Sequence, residues 1–206
     1  MLELLTRIPR KIYVAVSGGP DSMAVVSFLK SNHNITLLHF NHSTEHGQVA
    51  EEFVARYAET VSLPLIRGRI DRDRLKGESK EEFWRNERYA FFKYVTGRDL
   101  IIMAHNLDDA VETWLFTSIH GKPSLIPPRR GQILRPFLLC RKNELESWCE
   151  RKKVPFVKDP ANNDVSYPRV RLRNVIIPEV LKIAGIHTVI AKKYRHLFKG
   201  PLNVPI

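Results

Sequence analysis

Apolar residues in this chain follow two rhythms. Short, nearly continuous apolar runs at residues 12–16, 35–40, 64–70 and 99–104 have the length of strands buried on both faces. Between them, apolar positions recur every three or four residues: from Ser22 to about Asn32, at Val49, Phe53, Tyr57 and Val61, over residues 78–95, and over residues 105–116. That spacing predicts helices. In the third of these helices Phe83, Ala90 and Phe91 face inward, with Tyr94 beside them. Strand, helix, strand with short links predicts βαβ units and a parallel sheet.

Past Gly121 the pattern loosens. A proline-rich basic loop runs to Gly131, and residues 133–137 read as a short edge strand because Pro136 cannot donate to a central ladder. Residues 141–153 predict an amphipathic helix containing Leu145 and Trp148. A turn-rich stretch, Asp159-Pro-Ala-Asn-Asn-Asp164, leads into Arg169-Val-Arg171-Leu-Arg173, where charge alternates before a helix starting near Pro178. A last helix is expected from His187 to Lys199.

Between the first strand and the first helix stands Val14-Ala-Val-Ser17-Gly18-Gly19-Pro20-Asp21-Ser22. Paired glycines let successive backbone N–H groups turn toward one point, and a helix N-terminus adds free donors and a positive dipole end. Ser17 and Ser22 can add hydroxyls, so a phosphate is the expected guest. The turn is neither a Walker A loop nor Gly-x-Gly-x-x-Gly. The alternative is an ordinary tight turn with Asp21 as a helix cap.

Other polar positions carry two readings each. Asp108 or Asp109 with Glu112 puts two carboxylates on one helical face, as ordinary N-terminal caps or as a base or Mg²⁺ site. Arg85, Arg88 and Tyr89 share part of one face, where Glu81, Glu82 and Glu87 offer the arginines ion-pair partners. His39 and Phe40, at a carboxyl strand end, either flank an adenine or fill the core.

Charge sharpens the picture. The 206 residues carry a net +11. Residues 1–120 hold 15 Lys/Arg against 16 Asp/Glu, and residues 121–206 hold 18 against 6. Such asymmetry points to a polyanion partner, or else to a solvated face. No apolar run reaches membrane-spanning length, and the acid-containing N-terminus does not read as a secretory signal. Cys140 and Cys149 are too few for a disulfide framework and lack CxxC spacing, so a cytoplasmic location is expected.

The Ser-Gly-Gly-Pro-Asp-Ser turn resembles the pyrophosphate (PP) loop of the ATP-pyrophosphatase superfamily. Phe40-Asn-His42, Arg85-x-x-Arg88-Tyr89, Ala104-His105-x-x-Asp-Asp109-x-x-Glu112-Thr113, Arg135-Pro-Phe-Leu138, Asp159-x-x-Asn162 and Arg169-x-Arg171-x-Arg173 follow in order. Together they resemble the N-terminal catalytic domain of the tRNA(Ile)-lysidine synthetases over about residues 11–181. The resemblance departs at Ser43-Thr44-Glu45, at residues 124–128 and at Val170. The stretch past that domain is short, so the family's additional tRNA-binding domains are expected to be absent.

The resemblance implies an α/β fold, a doubly wound and mainly parallel sheet with helices on both faces, over residues 1–185, with a basic helical tail at 186–206. It implies that ATP adenylates the C2 carbonyl oxygen of cytidine 34 in tRNA(Ile) with a CAU anticodon, after which free L-lysine displaces AMP. ATP would be held by Ser17, Gly18, Gly19, Pro20, Asp21, Ser22, His39, Phe40 and His105. Asp21, Asp109, Glu112, Arg85 and Arg88 would carry the chemistry, Asp21 and Asp109 would hold Mg²⁺, and Arg169, Arg171 and Arg173 would meet tRNA. A homodimer is one assembly it allows. The rival readings are a PP-loop thiolation enzyme, for which the cysteines are poorly spaced, a catalytically weak RNA-binding remnant, and an enzyme that adenylates a small molecule.

Overall fold

The computed structural model describes residues 2–198, the Asn162 side chain excepted. Six strands, β1 (Lys11–Ala15), β2 (Asn34–Asn41), β3 (Leu65–Arg69), β4 (Ile101–Ile102), β5 (Arg129–Arg130) and β6 (Ile133–Leu134), form one sheet in the order β3-β2-β1-β4-β6-β5. Every pairing is parallel except β5 with β6. The expected α/β architecture is the one observed.

Side-chain alternation along the strands divides the core. Ile12, Val14, Ile35, Leu37, Ile102 and Leu134 point to one face, where they meet α1 (Pro20–Leu29), α2 (Glu45–Thr60) and α5 (Lys142–Lys152) through residues such as Val25, Val54 and Leu145. Tyr13, Leu38, Ile101, Met103 and Ile133 point to the other, against Phe92 of α3 (Lys80–Thr96). A strand buried on both sides needs apolar residues at every position, which is why these runs carry no polar alternation.

A third cluster lies beyond the sheet. Leu107, Ala110 and Val111 of α4 (Leu107–Ile119) pack with Leu172, and with Ile186, Ile190, Ala191 and Tyr194 of α8 (Ile186–Leu197). The buried Tyr194 hydroxyl donates to the carbonyl of Ile126 at 2.9 Å, tying α8 to the proline-rich loop. The helical extension is therefore docked on α4. Lys199, the expected end of that helix, lies outside the described residues.

Three expectations are corrected. The segment 133–137 is not an edge strand: β6 lies between β4 and β5, it stops at Leu134, and Pro136 follows it, so the missing N–H costs the ladder nothing. Helix α3 is rotated from the expected face, burying Phe83, Phe92 and Thr96 and leaving Ala90 and Tyr94 exposed. The alternating arginines lie on a helix that starts ten residues earlier than expected. It runs as α6 (Pro168–Arg171), a widened π turn (Leu172–Ile176) and α7 (Ile177–Ile183). Pro168 occupies the first turn, where its missing N–H is no loss, and the widened turn ends two residues before Pro178, which has no N–H to give back up the helix.

Among the described residues no single helix is long and apolar enough to cross a membrane. Strand β3 approaches α3 closely at Gly68, where an added Cβ would stand 2.5 Å from the Phe91 ring. Gly68→Ala is expected to destabilise the domain by about 1–3 kcal/mol through overpacking, read as a lower midpoint with unchanged slope in urea unfolding.

Candidate active site

The strand order reverses between β1 and β4, so the loops after these strands flank a crevice at their carboxyl ends. The β1 loop is built for close approach. Gly18 adopts φ 86°, and a Cβ there would lie 3.1 Å from Val157, whose N–H donates to the Gly18 carbonyl at 2.9 Å. The Ser22 hydroxyl accepts the Ser17 N–H at 3.2 Å and donates to the Gly19 carbonyl at 3.0 Å, while Ser17 Oγ accepts the Gly19 N–H at 3.3 Å. These hydroxyls brace the turn. Gly19 caps α1 with no side-chain hydrogen bond, leaving first-turn amides and the positive helix end open to an anion.

Asp21 sits in that first turn. Its Oδ1 is buried without a hydrogen-bond partner. Burial, followed by the negative charge of Asp109, pushes its carboxyl up to about 7, against the opposing pull of Lys142 and Arg173. Asp109 is also a cap: its Oδ2 accepts the Asn106 N–H at 3.0 Å, and its own N–H donates to Asn106 Oδ1 at 3.0 Å. Burial raises the Asp109 carboxyl as well. The capping and functional readings of this residue are therefore compatible. No group of three or more His, Cys, Asp or Glu suited to a metal occurs among the described residues. Two carboxylates beside a phosphate cradle do fit Mg²⁺, which is commonly held by one or two carboxylates together with phosphate oxygens.

Glu112 and Asp108 are committed elsewhere. Glu112 is 4% exposed and receives Arg169 at 3.0 Å on Oε1 and Arg173 at 2.6 and 2.9 Å on Oε2. Helical geometry explains the pairing, since residues 169 and 173 share a face and residue 171 does not. Arg171 is exposed. Asp108 accepts the Lys142 N–H at 2.7 Å and lies 3.0 Å from Nε2 of the buried His187. Burial alone would raise its carboxyl, but the His187 and Lys142 hydrogen bonds hold it below the usual range.

The opposite wall is basic. His39 is turned into the interior, its Nδ1–H donating to the Val16 carbonyl at 2.9 Å, so it braces β2 against β1 before it can flank a base. Phe40 packs on His42 and Phe91. His42 Nδ1, Arg88 Nε, His105 Nδ1 and Arg135 Nε are all buried without hydrogen-bond partners. Burial, then the nearby Arg135 and Arg88 charges, lowers His105 to about 3, and burial with Arg88 lowers His42 to about 4. Arg85 is exposed at the margin, close enough for its charge to act on Arg88. Beyond His42 opens a polar cleft of about 440 Å³ lined by residues including Arg72, Phe83 and Trp84, with Trp84 stacked on His42 at 5.1 Å.

Sequence reasoning missed Lys142, His187 and Trp84 as site neighbours. Nothing in residue spacing announces Lys142, which stands 121 positions from Asp21 and reaches it only through the α1–α5 packing. Both thiols are buried, with Cys140 pushed up to about 12 and Cys149 to about 11, chiefly by burial.

A PP-loop domain profile matches residues 2–180. The chain is 34% identical over 183 residues to the tRNA(Ile)-lysidine synthase of Thermotoga sp. (strain RQ2), covering 81% of this chain and 44% of that protein. It is 33% identical over 191 residues to that of Clostridium acetobutylicum, covering 84% and 41%. The chain thus spans less than half the length of these curated relatives. Among solved structures, the U34-tRNA thiolase NcsA from Methanococcus maripaludis, with its [4Fe-4S] cluster, superposes with a TM-score of 0.75 at 17% identity, over 95% of this chain and 74% of that one.

Two outcomes are expected of the acids. Glu112→Ala leaves two partly exposed arginines without their buried counter-charge and should cost about 2–3 kcal/mol in denaturant unfolding, below a fully buried pair because both guanidiniums reach solvent. For Asp21 the native carboxyl titrates near 7 and the unfolded one near 4, so in that window the native state keeps a proton the unfolded chain has lost. Its contribution to stability is full below about pH 4 and disappears as pH rises toward about 7. Asp21→Asn should remove this slope, making the variant more stable than its parent at about pH 8 and not at about pH 4, as urea unfolding will read.

Proposed function

The chain belongs to the PP-loop domain family and is homologous over most of its length to the tRNA(Ile)-lysidine synthases, and from that premise we propose that it adenylates C2 of cytidine 34 in tRNA(Ile) bearing a CAU anticodon and ligates free L-lysine there, releasing AMP and pyrophosphate. The observation that carries this reading is the Asp21 carboxyl, buried without a hydrogen-bond partner in the first turn after the phosphate-binding loop and close enough to feel the charge of Asp109.

A carbonyl oxygen is a poor leaving group, and transfer of AMP to it makes a good one. The Ser17–Ser22 turn and the α1 N-terminus hold the departing pyrophosphate, favouring that transfer. The incoming lysine ε-amine, with an ordinary pKa of about 10.4, must lose a proton before it attacks C2. Asp109, its carboxyl raised by burial, orients the amine and takes that proton, while Asp21 positions the reacting groups beside the phosphate turn. Mg²⁺ held by Asp21 and Asp109 would offset charge on the phosphates. Arg85 and Arg88 counter the negative charge of the reactants, and His105 completes the nucleotide's surroundings.

Recognition of an anticodon base suits a protein that reads a splayed base and grips the backbone with cations. Arg171 is outward, and Arg169 and Arg173 keep 37% and 33% of their side chains exposed while anchored on Glu112. They offer RNA a preset row of charge. The fold likeness to NcsA supports a second reading, thiolation, but Cys140 and Cys149 are poor thiolates where they sit.

Protein supplied with ATP, Mg²⁺, labelled lysine and unmodified tRNA(Ile) is expected to release AMP and pyrophosphate in step with lysine incorporation. Asp21→Ala should lower turnover by about a hundred-fold or more with the fold intact by circular dichroism. Sulfur transfer would support thiolation instead, and tRNA binding without turnover would support an RNA-binding remnant.

A further inference from the structure

Where α1, α2 and α5 end, a second cleft of about 390 Å³ opens, and none of its lining residues belongs to the site above. Its floor is apolar, made of Phe53, Tyr57, Val61, Val154 and Pro155. Its rim carries Lys30, Arg56, Lys152 and Lys153, with no carboxylate among the residues that line it. Among the described residues none of these cations forms an ion pair. Lys152 has only the neutral face of Trp148, 5.6 Å away. Helix ends account for part of the charge, since Lys30 caps α1 and Lys152 stands in the last turn of α5, where the dipole favours a cation. Arg56 and Lys153 exceed that need. Arg56 lies outside the last turn of α2. Lys153 ends α5 at φ 51°, a left-handed conformation where glycine is the usual choice, so a cationic side chain is kept there against backbone preference.

An apolar hollow of this size with a few convergent charged groups is the usual form of a small-molecule site. We propose that the cleft binds a small aromatic anion, its ring on Phe53, Tyr57 and Val154 and its acidic group among the rim cations, and that its occupancy is transmitted to the phosphate-binding turn. A bare polyanion would leave the apolar floor in water, so the ligand needs a ring as well as a charge. Two contacts carry the coupling. Phe53 also packs against the turn, 3.4 Å from where a Cβ on Gly18 would stand. On the other wall Val154 and Pro155 lead to Val157, whose N–H donates to the Gly18 carbonyl at 2.9 Å and whose side chain meets the same glycine. Gly18 holds the turn at a positive φ of 86°, so a ligand that fixes Phe53 and residues 154–157 bears on how that turn receives phosphate.

The probe is the dye anilinonaphthalene sulfonate, an aromatic body with one acidic group, titrated into the folded protein by fluorescence. Wild-type protein should show one saturable site, and Arg56→Glu combined with Lys153→Glu should weaken it by about ten-fold or more, the loss expected for contacts to charged groups. Lys192→Glu combined with Lys193→Glu, on the exposed side of α8, makes the same change in net charge and should leave the probe affinity unaltered. Equal weakening by both pairs, or by neither, overturns the site. Saturating probe should shift the Kd for ATP by about five-fold, levelling off once the cleft is full, and ATP should shift the Kd for the probe by the same factor. An ATP Kd that does not move overturns the coupling. One that rises without limit as probe is added also overturns it, since that is direct competition at the phosphate turn. Neither arm uses tRNA or lysine, so the outcome is independent of the lysidine reading.

Discussion

The pairing of Glu112 with Arg169 and Arg173 sets the shape of the crevice. Glu112 lies on the buried side of α4, and an ionised carboxylate there is tolerable only with its lone pairs filled. The two guanidiniums that fill them come from a helix whose first residue is 56 positions later in sequence, so satisfying one charge draws the segment Pro168–Ile183 against α4. Arg173 then does more than neutralise Glu112. Its charge reaches Asp109 and Asp21, and together with Lys142 it restrains the rise that burial imposes on both carboxyls. A single helical face thus ties the packing of the last third of the chain to the protonation of the residue closest to the phosphate cradle.

Partnered and unpartnered groups stand side by side at the carboxyl edge of the sheet. Asn41 donates to Glu51 at 2.7 Å and accepts from Ser43 at 2.8 Å, and the Glu51 carboxylate it meets also faces Arg67 and Arg69. Such closed networks fix the β2 exit and the start of α2. Asp21, His42, Arg88, His105 and Arg135 instead leave polar atoms unused, and all follow a strand or begin a helix at the carboxyl edge of the sheet, except Arg88, which reaches it from α3. Buried polar atoms in native proteins are seldom left open, so at this edge water or a ligand has donors and acceptors to meet.

Legibility in the sequence followed the range of the interaction. The apolar runs and the diglycine turn could be read because both depend on neighbours within a few residues: burial on two faces removes alternation, and a positive φ needs glycine. Asp109 could be read as cap or as acid; it is a cap, exchanging hydrogen bonds with Asn106, and burial raises its carboxyl. The arginine cluster misled because alternation suggests an extended chain, whereas Pro168 starts a helix and turns the spacing of two into different faces. His187 and Lys142 were invisible for another reason: each matters through a carboxylate far away in sequence, and nothing local distinguishes a core histidine from one that holds Asp108. Tyr94 was misplaced by the same limit, since the rotation of α3 is set by Phe92 against β2 and β4 rather than by its own periodicity.

The unsatisfied edge has an energetic consequence. Each buried donor or acceptor without a partner costs on the order of 1–3 kcal/mol, and several are gathered here in a domain whose net stability is of order 5–15 kcal/mol. Such a cost is tolerable because the inner strands β1, β2 and β4 bury apolar residues on both faces and the α4, α6 and α8 contacts are closed by ion pairs and the Tyr194 hydroxyl. A ligand entering the crevice would regain that cost as binding energy, since donors held in place need no reordering.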